Sequence, residues 1–143
     1  MIIVSQILKS KGDQVFTIEP QATVFDALKL MAEKEIGALL VMKNEKVVGI
    51  FSERDYARKV ILEGRSSKDT LVEKIMTSHV ISVDPATSVE VCMGLMTDRH
   101  IRHLPVIENE KLVGVVSIGD VVKAMVAEQQ YLISHLENYI VGK

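Results

Sequence analysis

Gly49-Ile50-Phe51-Ser52-Glu53-Arg54-Asp55 and Gly114-Val115-Val116-Ser117-Ile118-Gly119-Asp120 are two copies of one pattern, 65 residues apart in a chain of 143. The pattern is Gly-h-h-Ser-x-x-Asp, with h hydrophobic, and the chain around it repeats as well. From Phe16 to Ile61 the chain matches itself at that offset without a gap, and 14 of the 46 positions are identical. The identities include Pro20/Pro85, Val24/Val89, Leu39/Leu104, Asn44/Asn109, Gly49/Gly114, Ser52/Ser117 and Asp55/Asp120. Upstream, Val4-Ser5-Gln6-Ile7-Leu8 resembles Val72-Glu73-Lys74-Ile75-Met76 at an offset of 68, and extra residues near Lys11-Gly12-Asp13 absorb the difference. A duplication of this length sets the architecture before any single element is assigned.

Each copy reads the same way. Thr17-Ile18 and Ser82-Val83 are short extended segments closed by Pro20 and Pro85. Thr23 and Ser88 are helix N-caps, followed by apolar residues at helical spacing (Val24, Leu28, Met31; Val89, Met93, Met96). Ala38 to Met42 and Leu104 to Ile107 read as strands, Asn44-Glu45 and Asn109-Glu110 as turns, and Val47 to Phe51 and Leu112 to Val116 as return strands. Ser52 and Ser117 then open a second helix. The expected class is α/β (α+β): two repeats, each a short strand, helix, β-hairpin and helix. One such repeat leaves a sheet face bare, so two are expected to pack through their sheets about a pseudo-two-fold axis. The expected boundaries are repeat 1 at 1–62, a polar linker at 63–71, repeat 2 at 72–126 and a helical tail at 127–143. The tail places Tyr131, Leu132, His135, Leu136, Tyr139 and Ile140 at heptad-like spacing, which fits either packing on its own domain or a dimer contact.

Composition narrows the function classes. A net charge of -2, with basic and acidic residues interspersed, argues against nucleic acid as the main partner. The single cysteine, Cys92, allows no internal disulfide and lies in an apolar helical stretch, as a buried structural thiol would. With neither a signal-like apolar core nor a membrane-spanning run, the expected location is the cytoplasm, away from membranes. There is no Gly-x-x-x-x-Gly-Lys-[Ser/Thr] loop and no Gly-x-Gly-x-x-Gly, and no carboxylate pair is placed for Mg²⁺ beside a general base. No catalytic residue is assigned, and the chain is read as a non-enzyme. His100 and His103 are three apart while His79 and His135 are distant, which argues against a metal site.

The repeated motif has two physical readings. Ser at the end of a strand and Asp three residues later form a capping box, which stabilises a helix start without any ligand. The same helix start favours an anion through its unpaired amides and dipole. The acceptor-only carboxylate also suits the two hydroxyl donors of a ribose diol. Spacing alone leaves both readings open.

The duplicated motif, in register with a full-length repeat and with Leu104-Pro105-Val106 on the second hairpin, resembles the cystathionine-β-synthase (CBS) domain family. The likeness is to its tandem arrangement, the Bateman module, and Ser52 to Lys59 resembles stand-alone bacterial members. It covers about Val4 to Val126. The resemblance implies a regulatory module that senses adenosine compounds (AMP, ADP, ATP or NAD, alternatively S-adenosylmethionine) in one or both inter-repeat clefts, with no required cofactor. It implies ribose contacts for Asp55 and Asp120, and phosphate proximity for Ser52 and Ser117. It also places Arg102 and His103 toward ligand phosphates, although a solvated basic edge explains them equally well. The first copy has Gly37-Ala38 there, uncharged and roomy enough for a purine, and carries Arg54 where the second has Gly119. Thr17, Ser82 and Pro105 complete the candidate ligand-binding set. The expected partners are the small molecule, a second copy of the chain in a homodimer, and an unidentified effector protein. A structural or interaction module with empty clefts is the alternative.

Overall fold

The computed structural model describes residues 1–141. In chain order the elements are α1 (Val4–Lys11), β1 (Thr17–Ile18), α2 (Val24–Lys34), β2 (Ala38–Lys43), β3 (Lys46–Ser52), α3 (Glu53–Asp55), α4 (Val72–Ile75), α5 (Val89–Arg99), β4 (His103–Glu108), β5 (Lys111–Ser117) and α6 (Ile118–Ile140). The mixed α/β class and the repeated helix, hairpin and helix are as read from the sequence.

The two copies share their backbone down to individual dihedral angles. Thr23 and Ser88 cap α2 and α5 by accepting from the amides of Asp26 and Val91. The same helices end on left-handed residues, Glu35 and His100, both at φ 54°. Each hairpin turns through two residues at positive φ, Asn44-Glu45 (52° and 64°) and Asn109-Glu110 (51° and 66°). That is the mirror-image turn whose twist matches a right-twisted ribbon, and asparagine tolerates its first position well. In the first copy β1 pairs parallel to β2, and β2 pairs antiparallel to β3. In the second, Val83 makes the corresponding parallel bridge to Val106 beside β4 and β5.

The chain divides into two compact units, and their composition differs from the order of the copies in sequence. One unit is Val15–Ile81 with Glu110–Leu112; the other is Met1–Gln14 with Ser82–Asn109 and Val113 onward. The helix preceding each copy therefore packs with the opposite copy. In the first unit, Val72 and Ile75 of α4 join a core of Val24, Ala27, Met31, Leu39, Val41, Phe51 and Val60. In the second, Val4 and Ile7 of α1 are buried, as are Val83, Val89, Cys92, Met96, Leu104, Val106, Val116 and Val121. The pairs Val24/Val89, Ala27/Cys92, Met31/Met96 and Phe51/Val116 hold equivalent places, so Cys92 is a core side chain. Burial raises its thiol pKa against the opposing pull of a backbone hydrogen bond, which keeps it in the neutral form.

The motif glycines explain why these leading helices dock as they do. A Cβ on Gly114 would lie 2.7 Å from Leu8 Cδ2, and one on Gly49 would collide with Met76 Sδ. Leu8 and Met76 are equivalent residues of α1 and of the turn after α4. Each fills the space that its glycine leaves on the strand.

Two other expected segments differ in detail. The polar stretch 63–71 is tied to the first unit: the amides of Val24 and Phe25 donate to the carbonyls of Thr70 and Ser67. The tail expected from 127 is the second half of α6, because no Gly or Pro interrupts the chain between Asp120 and Val141. Residues 142–143 lie outside the described residues. After α3 the first copy continues with π-type turns over Tyr56–Ile61, in which the Leu62 amide donates to the Ala57 carbonyl.

Replacing Gly114 with alanine is expected to cost about 1–3 kcal/mol of unfolding free energy, the usual penalty for an overfilled core contact. Combining it with Leu8→Ala should recover part of that loss. Chemical denaturation of the four members of the cycle checks this; strict additivity would mean that the Gly114–Leu8 contact does not set the packing.

Candidate functional site

Each copy brings its motif to the junction of a strand and a helix. In the first, the Ser52 amide donates to Asp55 Oδ2 (3.0 Å), Ser52 Oγ donates to the same oxygen (3.1 Å), and the Asp55 amide donates back to Ser52 Oγ (3.2 Å). In the second, the Ser117 amide donates to Asp120 Oδ2 (2.8 Å) and the Asp120 amide to Ser117 Oγ (3.1 Å). Both are complete capping boxes. The preceding turn adds a further bond: the Glu53 amide donates to the Gly37 carbonyl, and the Ile118 amide to the Arg102 carbonyl. The first and third helical amides of each copy are thus satisfied inside the fold. That leaves less of the helix start to bind a phosphate than the bare motif implies.

The partners behind the two carboxylates differ. Asp55 Oδ1 accepts from Thr77 Oγ1 at 3.2 Å and faces Lys59 Nζ at 3.4 Å. Asp120 Oδ2 meets Lys11 Nζ at 2.6 Å. The backbone shows how close the substitution is. Thr77 donates its amide to the Ile50 carbonyl at 2.9 Å, whereas Lys11 donates its ammonium to the Val115 carbonyl at 3.0 Å. Ile50 and Val115 are equivalent, so one lysine ammonium replaces both an amide and a hydroxyl. Burial pushes the Asp120 carboxyl pKa up. The Lys11 ammonium, with the Ser117 amide and hydroxyl, outweighs that and holds it below the ordinary carboxylate range.

Exposure separates them further. The Asp55 side chain retains 10% of its surface and the Asp120 side chain 22%. Hydrogen bonds fall on both oxygens of Asp55, whereas those of Lys11 and Ser117 to Asp120 fall on Oδ2. Asp120 therefore offers the larger acceptor surface.

Gly37 and Arg102 supply the carbonyls just described, and Ala38 and His103 start β2 and β4. A Cβ on Gly37 would lie 2.9 Å from Glu53 Oε1, so this glycine accommodates a neighbouring side chain of its own unit. Arg54, Gly119, Thr17, Ser82 and Arg102 are exposed. Pro105 is buried, and its carbonyl accepts from the Val83 amide, which makes it a sheet residue. Lys11, Thr77 and Lys59 were missing from the expected set. The signal for Lys11 was the break in the repeat at Lys11-Gly12-Asp13, since an insertion marks where two copies stop being equivalent. Among the described residues, no group of three or more His, Cys, Asp or Glu is placed to hold a metal ion, and no helix is long and apolar enough to cross a membrane.

The comparisons with known proteins bear on the family and the fold. The CBS domain model matches residues 4–62 and 72–127. A mitochondrial CBS domain-containing protein of Arabidopsis thaliana, CBSX3, is 45% identical over 148 residues, covering 97% of this chain and 72% of its own. YhcV of Bacillus subtilis, also a CBS domain-containing protein, is 32% identical over 81% of this chain and 82% of its own. A CBS-domain protein of Burkholderia ambifaria has the same fold with a TM-score of 0.87 at 53% identity, covering 90% of this chain and 96% of that one.

Because Asp120 has its carboxyl pKa lowered on folding, the linked stability is present above the unfolded value of about 3.9 and is lost as pH falls through the lower folded value. Lys11→Met should therefore cost about 0.5–1 kcal/mol near neutral pH, allowing for its partial exposure. The gap from wild type should close on acidification below about pH 4. Denaturation curves across pH check this, and a gap independent of pH would exclude the ion pair as its source. With two copies of the motif in one chain, each built into its own compact unit, and a family model that matches both, this protein belongs to the CBS domain family as a tandem pair.

Proposed function

We propose that the protein is a regulatory module that binds an adenosine nucleotide of the AMP, ADP, ATP or NAD class at its Ser-x-x-Asp motifs, with S-adenosylmethionine as the alternative ligand. Tandem CBS proteins are regulatory ligand-binding modules, and the reading for this chain is carried by one observation. Asp120 is an ionised, acceptor-only carboxylate, held by the Ser117 amide, paired with Lys11 and partly open to solvent. A fixed acceptor of this kind suits the paired hydroxyls of a ribose, because the folded chain has already met the cost of orienting it. Asp55 offers the same chemistry with a smaller exposed surface. Ser52 and Ser117 stand beside the carboxylates as hydroxyl groups for a phosphate, with Arg102, His103 and Arg54 as basic residues of the family's pattern. The CBS pair of protein MJ0100, alike in fold at 23% identity and a TM-score of 0.79, was crystallised with 5′-methylthioadenosine and S-adenosyl-L-methionine. Both compounds are adenosines. The module performs no reaction in this reading, and its output is a shift between conformations set by differential ligand affinity. The single core cysteine favours the cytoplasm or another reducing compartment.

A thermal-shift screen with AMP, ATP, NAD and S-adenosylmethionine should give a concentration-dependent stabilisation, roughly 2.7 kcal/mol at a hundredfold excess over Kd. Asp120→Ala should remove binding at the second motif more completely than Arg102→Ala. Unchanged affinity and stoichiometry in Asp120→Ala, measured by calorimetry, would sink the ribose role.

We further infer a homodimer through α6. Its second half exposes Leu132, Ile133, Leu136, Tyr139 and Ile140, an apolar surface on a helix whose heptad-like spacing suits another helix. A CBS-CP12 protein from bloom-forming cyanobacteria, 33% identical over 85% of this chain, is a hexamer. Leu132→Glu together with Leu136→Glu is expected to halve the mass measured by light scattering. A wild-type chain that is already monomeric at micromolar concentration would refute the dimer.

A further inference from the structure

Lys11 is paired with Asp120 in the proposed site, and the proposed function does not say what that pairing does to ligand choice. The lysine comes from the far end of the chain, 109 positions from Asp120. It is held there by more than its own charge. The Leu8 side chain, one turn earlier on α1, fills the space over Gly114, and the Val4 and Ser5 amides donate to the Thr87 and Pro85 carbonyls. The helix is thus docked independently of the ion pair, and the ammonium is delivered to a fixed place on a flexible stem. The Lys11 side chain keeps 35% of its surface in solvent, so that stem has room to move while α1 stays seated. In the first copy the lysine beside the carboxylate, Lys59, comes from the helical segment that carries Asp55. There the equivalent carbonyl is met by an amide, and the carboxylate by the Thr77 hydroxyl together with Lys59 Nζ at 3.4 Å, four positions along the chain from Asp55.

From this difference we propose that Lys11 is the selectivity residue of the second motif: it neutralises Asp120 in the empty site and transfers its ammonium to an anionic group of the ligand when a diol engages the carboxylate. The inference rests on the nucleotide-binding reading and deepens it. A neutral nucleoside that donates two hydroxyls to Asp120 competes with the ammonium and gives it nothing in return. A phosphate-bearing nucleoside offers the displaced ammonium a new charge-assisted bond, so the exchange costs little. The second motif is therefore a sensor for phosphorylated adenosine compounds. The first motif, where Thr77 is the donor and Lys59 lies on the same helical segment as Asp55, lacks this exchange and discriminates less.

Site-resolved NMR titration of the full chain with adenosine and with AMP tests the proposal, reading the Ser117 and Asp120 amides for the second motif and those of Ser52 and Asp55 for the first. In the wild type, AMP is expected to bind the second motif at least about tenfold more tightly than adenosine, the value of one charge-assisted bond. Lys11→Met should bring the two ligands to within about threefold of each other, by weakening AMP and strengthening adenosine, while Lys11→Arg retains the preference. The first-motif amides should respond alike in all three proteins. If Lys11→Met weakens both ligands equally, or alters neither, the residue is structural and the proposal is overturned while nucleotide binding stands. If neither ligand moves either pair of amides in the wild type, the nucleotide-binding reading falls and the role of Lys11 falls with it.

Discussion

Neither unit of this protein is assembled from a continuous stretch of chain, and the constraint that makes this work is the absence of a side chain at Gly49 and Gly114. Each glycine leaves a gap on a return strand that accepts one large apolar residue, Met76 or Leu8, from the helix that leads into the other copy. With that residue seated, Val72 and Ile75, or Val4 and Ile7, complete the core beneath it. A repeat cut out at its sequence boundaries would lose those buried side chains and expose the strand they cover. The duplication therefore acts through exchange: each copy is completed by the segment preceding its partner.

The same strand that carries the glycine ends at the Ser-x-x-Asp motif three residues later, so packing and chemistry are coupled over a very short distance. The capping box fixes the serine and aspartate by three reciprocal bonds in the first copy and two in the second. Capping and ligand binding are often treated as rival explanations of such a motif. Here they are compatible, because the cap turns the carboxylate into a rigid acceptor and uses only part of its lone-pair capacity. A residue whose position is already set by helix formation loses little freedom when a ligand arrives.

Much of the fold was legible because its information is local and appears twice. The N-caps at Thr23 and Ser88, the turns at Asn44 and Asn109 and the strand boundaries follow from residue chemistry within a few positions, and the second copy checks the first. The exchange of leading helices was not legible, since a repeat boundary in sequence does not say which core a helix joins. Leu8 and Gly114 become neighbours only across a separation of 106 positions. The site divides the same way: Ser52, Asp55, Ser117 and Asp120 stand out through repetition, whereas Thr77 and Lys11 reach their carboxylates through tertiary packing. Pro105 shows the converse, a residue conspicuous by type whose place in the structure is buried beside Val83.

What distinguishes the copies is electrostatic, and it arises where the duplication is least regular. Their backbones agree closely enough that Glu35 and His100 share the same left-handed angle. Yet the insertion near Lys11 brings a charge from a distant segment to a place where the first copy uses a hydroxyl, the lysine of that copy, Lys59, lying on the same helical segment as Asp55. A charge alters a carboxylate far more than a dihedral adjustment does: it lowers the pKa of Asp120 and, in the proposed exchange, sets what must be displaced and makes that displacement depend on the charge of the incoming group. Under that proposal, two motifs of common origin respond to different forms of one ligand class without any change in the scaffold. The irregular end of the repeat is where such a difference can arise at least cost to the core, because Lys11 is exposed and the contacts that seat its helix lie elsewhere.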